Sequence, residues 1–155
     1  MRRPWTSRRA QRTQEPIELR LPSRLGYEKV AMDTVAVVAQ RMGFAPDQID
    51  GLRTAVAEAV TNAIEHGNHG MPNAEVHVVM MVTGSTLTIC VRDQQYRQFD
   101  RSYGKQRPNI QRAFSGEDVG LGMYLIRQFV DEVEWTGTPN GGNEVRMVLR
   151  CDSVS

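Results

Sequence analysis

Ile49, Leu52, Val56, Val60 and Ala63 fall within one narrow stripe when successive residues are advanced by about 100°, the pattern of a helix with a single apolar face. Such a helix must bury that face against a second layer, so the chain is restricted to folds that supply one. Glu58 and Asn62 are four residues apart and therefore share a face, at the margin of the stripe. The helix can begin with Pro46 in its first position or with Asp47 as its cap, alternatives that the local signals leave open. Gly67, Asn68, Gly70 and Asn73 read as the loop that follows.

Around this helix the hydrophobic period switches between two and 3.6. Ile17, Leu19 and Leu21 alternate with Glu18 and Arg20, a short strand ended by Pro22. Ser23 is a suitable N-cap for a helix on which Val30, Thr34, Val35, Val38 and Met42 share a face, stopped by Gly43. Ala74–Thr83 and Ser85–Asp93 read as strands, with Gly84-Ser85 between them as hairpin chemistry. A third helix opens at Gly120-Leu121-Gly122 and presents Met123, Ile126, Phe129, Val130 and Val133, its last turns overlapping a strand Glu132–Thr138. Pro139, Asn140, Gly141 and Gly142 make a tight turn before a final strand, Glu144–Cys151, with Val145, Met147 and Leu149 on one face. The order strand–helix–helix–strand–strand–loop–helix–strand–strand predicts a two-layer α/β sandwich. Residues 94–119 carry no periodicity, and a patternless stretch of that length inside a domain is usually a functional lid or a disordered segment.

Composition removes several classes. A length of 155 residues predicts one domain whose core needs no covalent staples. Cys90 and Cys151 form neither a disulfide framework nor a paired metal spacing. No stretch approaches a membrane span, and no apolar run follows the Arg-rich N-terminus as a secretory signal requires. The expectation is a soluble cytoplasmic protein. The formal charge of +1 conceals a division. Residues 1–16 carry Arg2, Arg3, Arg8, Arg9 and Arg12 against Glu15, net +4, and the remainder holds 14 basic and 17 acidic side chains, net −3. A mildly acidic body argues against a general nucleic-acid binder. Residues 1–15 read as a disordered basic tail and residues 16–151 as the folded domain. His66 and His69 stand three apart, but no Cys or acidic cluster accompanies them, so zinc is disfavoured.

The run Glu58-x-x-x-Asn62-Ala63-x-x-His66-Gly67 resembles the first nucleotide box of the GHKL superfamily of ATPases, and within it the bacterial anti-sigma factor serine/threonine-protein kinases. Asp93 at a strand end is similar to the second box, Gly120-x-Gly122 to the third, and Gly142 with Glu144-Val145 to the terminal strand motif. The resemblance implies a Bergerat-type fold: a mixed, mostly antiparallel sheet of about five strands covered by three helices, with residues 94–119 as an ATP lid. It also implies ATP and Mg2+ as cofactors. Glu58 would be the catalytic base, Asn62 the Mg2+ ligand and Asp93 the adenine anchor. Gly120 and Gly122 would form the phosphate cradle, with His66 beside the nucleotide box. These roles are chemically sound: an amide oxygen suits a hard cation, and a helix N-terminus behind two glycines suits phosphate.

The second box departs from the family pattern. Asp93-Gln94-Gln95-Tyr96-Arg97 stands where Asp-x-Gly-x-Gly is expected, so neither glycine is present. Asn143 occupies the place of a polar residue that is often Thr. Arg97, Arg101, Lys105, Arg107 and Arg112 in the loop are suited to phosphate, to solvent or to an acidic partner alike. Two functions are therefore open. One is an ATP/Mg-dependent kinase acting on a STAS-domain anti-sigma antagonist in a sigma-factor partner switch, with a homodimer as one state of such relatives. The other is a degenerate binding module that sequesters a regulator without catalysis. A sensor histidine kinase fragment ranks lower, because no helix pair with a phosphoacceptor His precedes residue 16.

Overall fold

The computed structural model describes residues 15–68, 71, 73–94, 120–137 and 142–151. The elements run β1 (Ile17–Pro22), α1 (Glu28–Met42), α2 (Pro46–Asn62), a π turn (Ala63–Gly67), β2 (Glu75–Thr83), β3 (Thr86–Arg92), α3 (Gly120–Phe129), β4 (Glu132–Gly137) and β5 (Asn143–Arg150). The N-terminal tail, the lid-like loop with its five basic residues, His69, and the Pro139–Gly141 turn lie outside the described residues.

The strands form one sheet in the order β1-β2-β3-β5-β4, and every pairing is antiparallel. Side chains alternate between its faces. One inner row runs Leu19, Val78, Val91, Val145 and Trp135, and the next runs Ile17, Met80, Ile89, Met147 and Val133. Their central members form the core with the buried faces of the helices. Full burial of each such side chain contributes roughly 1.5–3 kcal/mol. α2 is the middle helix, packed against α1 on one side and α3 on the other. Its stripe is buried as the periodicity requires, with Leu52, Ala55, Val56, Ala59 and Val60 inside.

Tertiary structure decides one boundary that local signals leave open and departs from those signals at three other places. Pro46 takes the first position of α2, and Gln48 Oε1 accepts a hydrogen bond from the Ala45 N–H at 3.1 Å, so Asp47 is not the cap. Ser23 does not cap α1, which begins at Glu28 with Tyr27 before it. The Ser23 hydroxyl instead accepts from the Asn68 amide at 3.0 Å, a buried donor that has to be satisfied. On α1 the buried line is Ala31, Val35, Val38 and Ala39, and Val30 is 44% exposed. The small residues face inward because α1 must lie close to α2. Gly43 ends the helix in the left-handed conformation (φ 93°), which glycine adopts without strain. On α3, Met123 and Ile126 are buried while Phe129 is 40% exposed, and β4 takes over the chain before Val133. Phe129 still closes the helix pair, since a Cβ on Gly51 would stand 2.8 Å from its Cδ1.

Candidate functional site

The polar edge of α2 meets the first turn of α3. A Cβ added to Gly122 would lie 2.6 Å from Glu58 Oε2, 3.3 Å from Asn62 Nδ2 and 3.7 Å from Asn62 Oδ1. Three residues singled out in the sequence, from segments more than fifty residues apart, therefore touch. The missing side chain at position 122 is the condition for that approach. Gly120 is the first residue of α3, so its backbone belongs to the same helix N-terminus. That terminus offers free N–H groups and a partial positive charge.

Glu58 sits half-buried at this junction. Burial raises its carboxyl above the ordinary carboxylate range, and the nearby Glu65 charge raises it further. Asn62 Nδ2 is fully buried and has no hydrogen-bond partner among the described residues. An unsatisfied buried amide costs about 1–3 kcal/mol, so a group supplied from outside the protein would find a partner here. A half-turn about the last torsion exchanges Nδ2 with Oδ1, so the same position can offer an oxygen to a cation. An orphaned amide and a cradle that a Cβ would fill are together a fit for Mg2+ and a phosphate chain.

Asp93, the residue after β3, lies at a second corner and is 7% exposed. Its carboxylate accepts from the Asn143 N–H at 3.0 Å, and the Asn143 side-chain amide lies 3.4–3.5 Å away. On the other side, a Cβ on Gly67 would overlap the carboxylate outright. Gly67 ends the π turn, in which the Asn68 N–H bonds the Ala63 carbonyl at 2.9 Å, five residues back. One continuous segment, residues 58–67, thus reaches Gly122 with its first half and Asp93 with its last residue. π turns are frequent at functional sites, and this one extends the end of α2.

His66 is half-exposed on the π turn, with Nε2 3.8 Å from Glu65 Oε2. Among the described residues no hydrogen bond or ion pair joins it to Glu58, Asn62 or Asp93. Asn143 and Asn68 carry the opposite lesson. Both are buried partners of this corner that sequence reasoning left without a role, although Asn143 stood out as the polar residue at a motif position. A cavity of about 700 Å³ opens on the outer face of the sheet beside Arg20, His77, Arg92 and Glu144; Glu58, Asn62 and Gly122 are not among its walls. No helix among the described residues is long and apolar enough to cross a membrane.

Residues 21–149 match the family model of the histidine kinase-like ATPase domain. The serine-protein kinase RsbW of Bacillus velezensis is 33% identical over 124 residues, which cover 76% of each chain. Two solved structures share the fold. The SiaB–SiaC complex of Pseudomonas aeruginosa superposes with a TM-score of 0.64 at 12% identity, covering 93% of this chain and 94% of that one. The RsbU and RsbW domains of a Mycobacterium tuberculosis protein superpose with a TM-score of 0.63 at 16% identity, over 89% of this chain. Here the chain spans 33% of the longer protein's length. The five-stranded sheet, the helices laid across it and the matched sequence agree: the chain belongs to the histidine kinase-like ATPase domain family, among its serine-protein kinases of the anti-sigma type.

Proposed function

We propose that this chain is an ATP- and Mg2+-dependent anti-sigma-type regulator that phosphorylates a serine or threonine of a STAS-domain antagonist, and that it also holds a sigma factor in a cytoplasmic partner switch. The observation that carries the reading is the convergence of Glu58 and Asn62 on Gly122. The relatives' name, serine-protein kinase, supports the reaction type. One structural neighbour is itself a two-protein complex, SiaB with SiaC, which fits a fold that works by holding a partner.

Phosphoryl transfer needs positioning and charge neutralisation more than covalent chemistry. Asn62 would hold Mg2+ through its amide oxygen, the remaining ligands coming from phosphates and water, as is usual for this cation. A Mg2+ held there would supply charge neutralisation for the phosphates. Gly120 and Gly122 present the helix N-terminus to the phosphate chain. Glu58 takes the proton of the incoming hydroxyl onto its carboxylate, and its raised pKa makes that carboxylate a stronger base than an exposed one. Asp93 accepts from the exocyclic amino group of adenine.

Gln95 and Arg97 favour a second reading, a module that binds its partner without turnover, because side chains replace the two glycines of the second box. Calorimetric titration with ATP and Mg2+ separates the two. Saturable binding, abolished by Asn62→Ala and by Asp93→Ala, supports the kinase. No heat at millimolar nucleotide leaves the binding module. Transfer of labelled phosphate to a STAS-domain partner, lost in Glu58→Ala, then tests catalysis itself. Sedimentation of the free chain tests the homodimer.

A further inference from the structure

Asn68 follows the π turn directly and is 0% exposed. Every polar atom of its side chain is engaged. Nδ2 donates to Ser23 Oγ at 3.0 Å and to the Glu75 carbonyl at 3.1 Å, while Oδ1 accepts from the Gln94 backbone N–H at 2.9 Å. The Gln94 side chain closes the loop, its Oε1 accepting from the Glu75 N–H at 3.0 Å. Only an amide offers two donors and an acceptor on one short planar group; an aspartate would lack both donors.

This arrangement bears on Asp93. Gly67 and Asn68 are consecutive, as are Asp93 and Gln94. Gly67 leaves open the space that the Asp93 carboxylate occupies, and Asn68 grips the very next amide. Asn143 holds Asp93 from the neighbouring strand. A chain that lacks glycines at 95 and 97 needs another means of directing the backbone as it leaves Asp93. A buried side chain bonded to that backbone is such a means.

The geometry points to Asn68 as a positioning residue for base recognition: its bond to the Gln94 N–H sets the Asp93 carboxylate in the orientation that accepts from the adenine amino group. The inference rests on the role given to Asp93 above. Asn68 is fully buried with its side-chain polar atoms all engaged within the protein, so its removal should cost base discrimination and leave the phosphate grip intact.

Comparing ATP with inosine triphosphate reads that effect, because hypoxanthine carries an accepting carbonyl oxygen where adenine carries the donating amino group, on the same ribose triphosphate. By calorimetry on the full chain, the wild type should prefer Mg·ATP over Mg·ITP by about tenfold or more. Asn68→Ala should lose most of that preference while its affinity for Mg·ITP stays within about twofold of wild type. Ser23→Ala removes one partner of Asn68 and should shift the preference the same way by less; it decides the matter if Asn68→Ala does not fold. An equal loss of both affinities would mark a general structural role and overturn the inference, as would an unchanged preference. A wild type that binds neither nucleotide, or does not discriminate, overturns the role of Asp93 and the inference with it.

Discussion

Asp93 and Asn143 bond each other in both directions across β3 and β5: each backbone N–H donates to the other residue at 3.0 Å, one to a carbonyl and one to a carboxylate oxygen. The pair continues the ladder past Arg92 and Glu144 and turns its last rung into a holder for a carboxylate. Asn143→Ala leaves both backbone donors and removes the longer side-chain contacts to the carboxylate. Its cost should be about 1 kcal/mol of stability in chemical denaturation. Affinity for Mg·ATP should fall by about threefold, since the lost contacts help orient the carboxylate but are longer than a well-formed hydrogen bond.

Gly67→Ala should be severe. The new Cβ would overlap the Asp93 carboxylate, and both residues are buried between fixed backbones, so one must move. A loss of about 1–3 kcal/mol is the usual scale of overpacking. Because the Asp93 Cβ itself would stand 2.7 Å from the new Cβ, the obstruction is removed only by the double variant Gly67→Ala/Asp93→Gly, which should recover part of that loss without restoring ATP binding. Thermal denaturation and calorimetry read the two effects separately, and a double variant no more stable than Gly67→Ala would refute the explanation.

Gly122→Ala should behave differently. Its nearest atom is Glu58 Oε2, the far end of a flexible side chain that can swing aside. Stability should change by less than about 1 kcal/mol, the range of a tolerated substitution. Phosphoryl transfer should fall by about 10²–10⁴, because the displaced carboxylate is the proposed base. Denaturation midpoints and single-turnover kinetics on the same preparation check both halves.

The pH dependence follows from Glu58. Its pKa is raised in the folded state by burial first and by Glu65 second, so the fold disfavours the charged form. The stabilising contribution of the neutral acid is complete below the unfolded pKa and is lost as pH rises through the raised folded value. Glu58→Gln should therefore be more stable than wild type at neutral pH, and the difference should vanish as the pH is lowered through that window. Melting curves for both proteins across about pH 4 to 8 would show it. A constant difference over that range would exclude Glu58 as the titrating group.

Much of the architecture is legible before any coordinates. The stripe from Ile49 to Val60, the alternation in β1, β3 and β5, and the Gly84-Ser85 hairpin each state their own conformation, and their order is that of the fold. The errors fall where a choice is made by neighbours distant in sequence. Ser23 has the chemistry of a cap, but Asn68, 45 residues away, claims its hydroxyl. Val30 fits the helical period, yet the close approach of α2 selects Ala31 for the interior.

The site divides in the same way. Glu58 and Asn62 could be paired from their spacing, because a helix repeats every 3.6 residues whatever surrounds it. Nothing local, however, reveals that Gly122 lies against them, that Gly67 is empty space for Asp93, or that Asn143 bonds the carboxylate while Asn68 bonds the backbone amide that follows it. Periodicity and turn chemistry act over a few residues, and they specified the elements and the first pair of polar groups. Close packing and the need to satisfy buried polar atoms act through space, between segments that the chain keeps tens of residues apart. The folded sheet and helices had to exist before those constraints could choose which asparagine holds which aspartate.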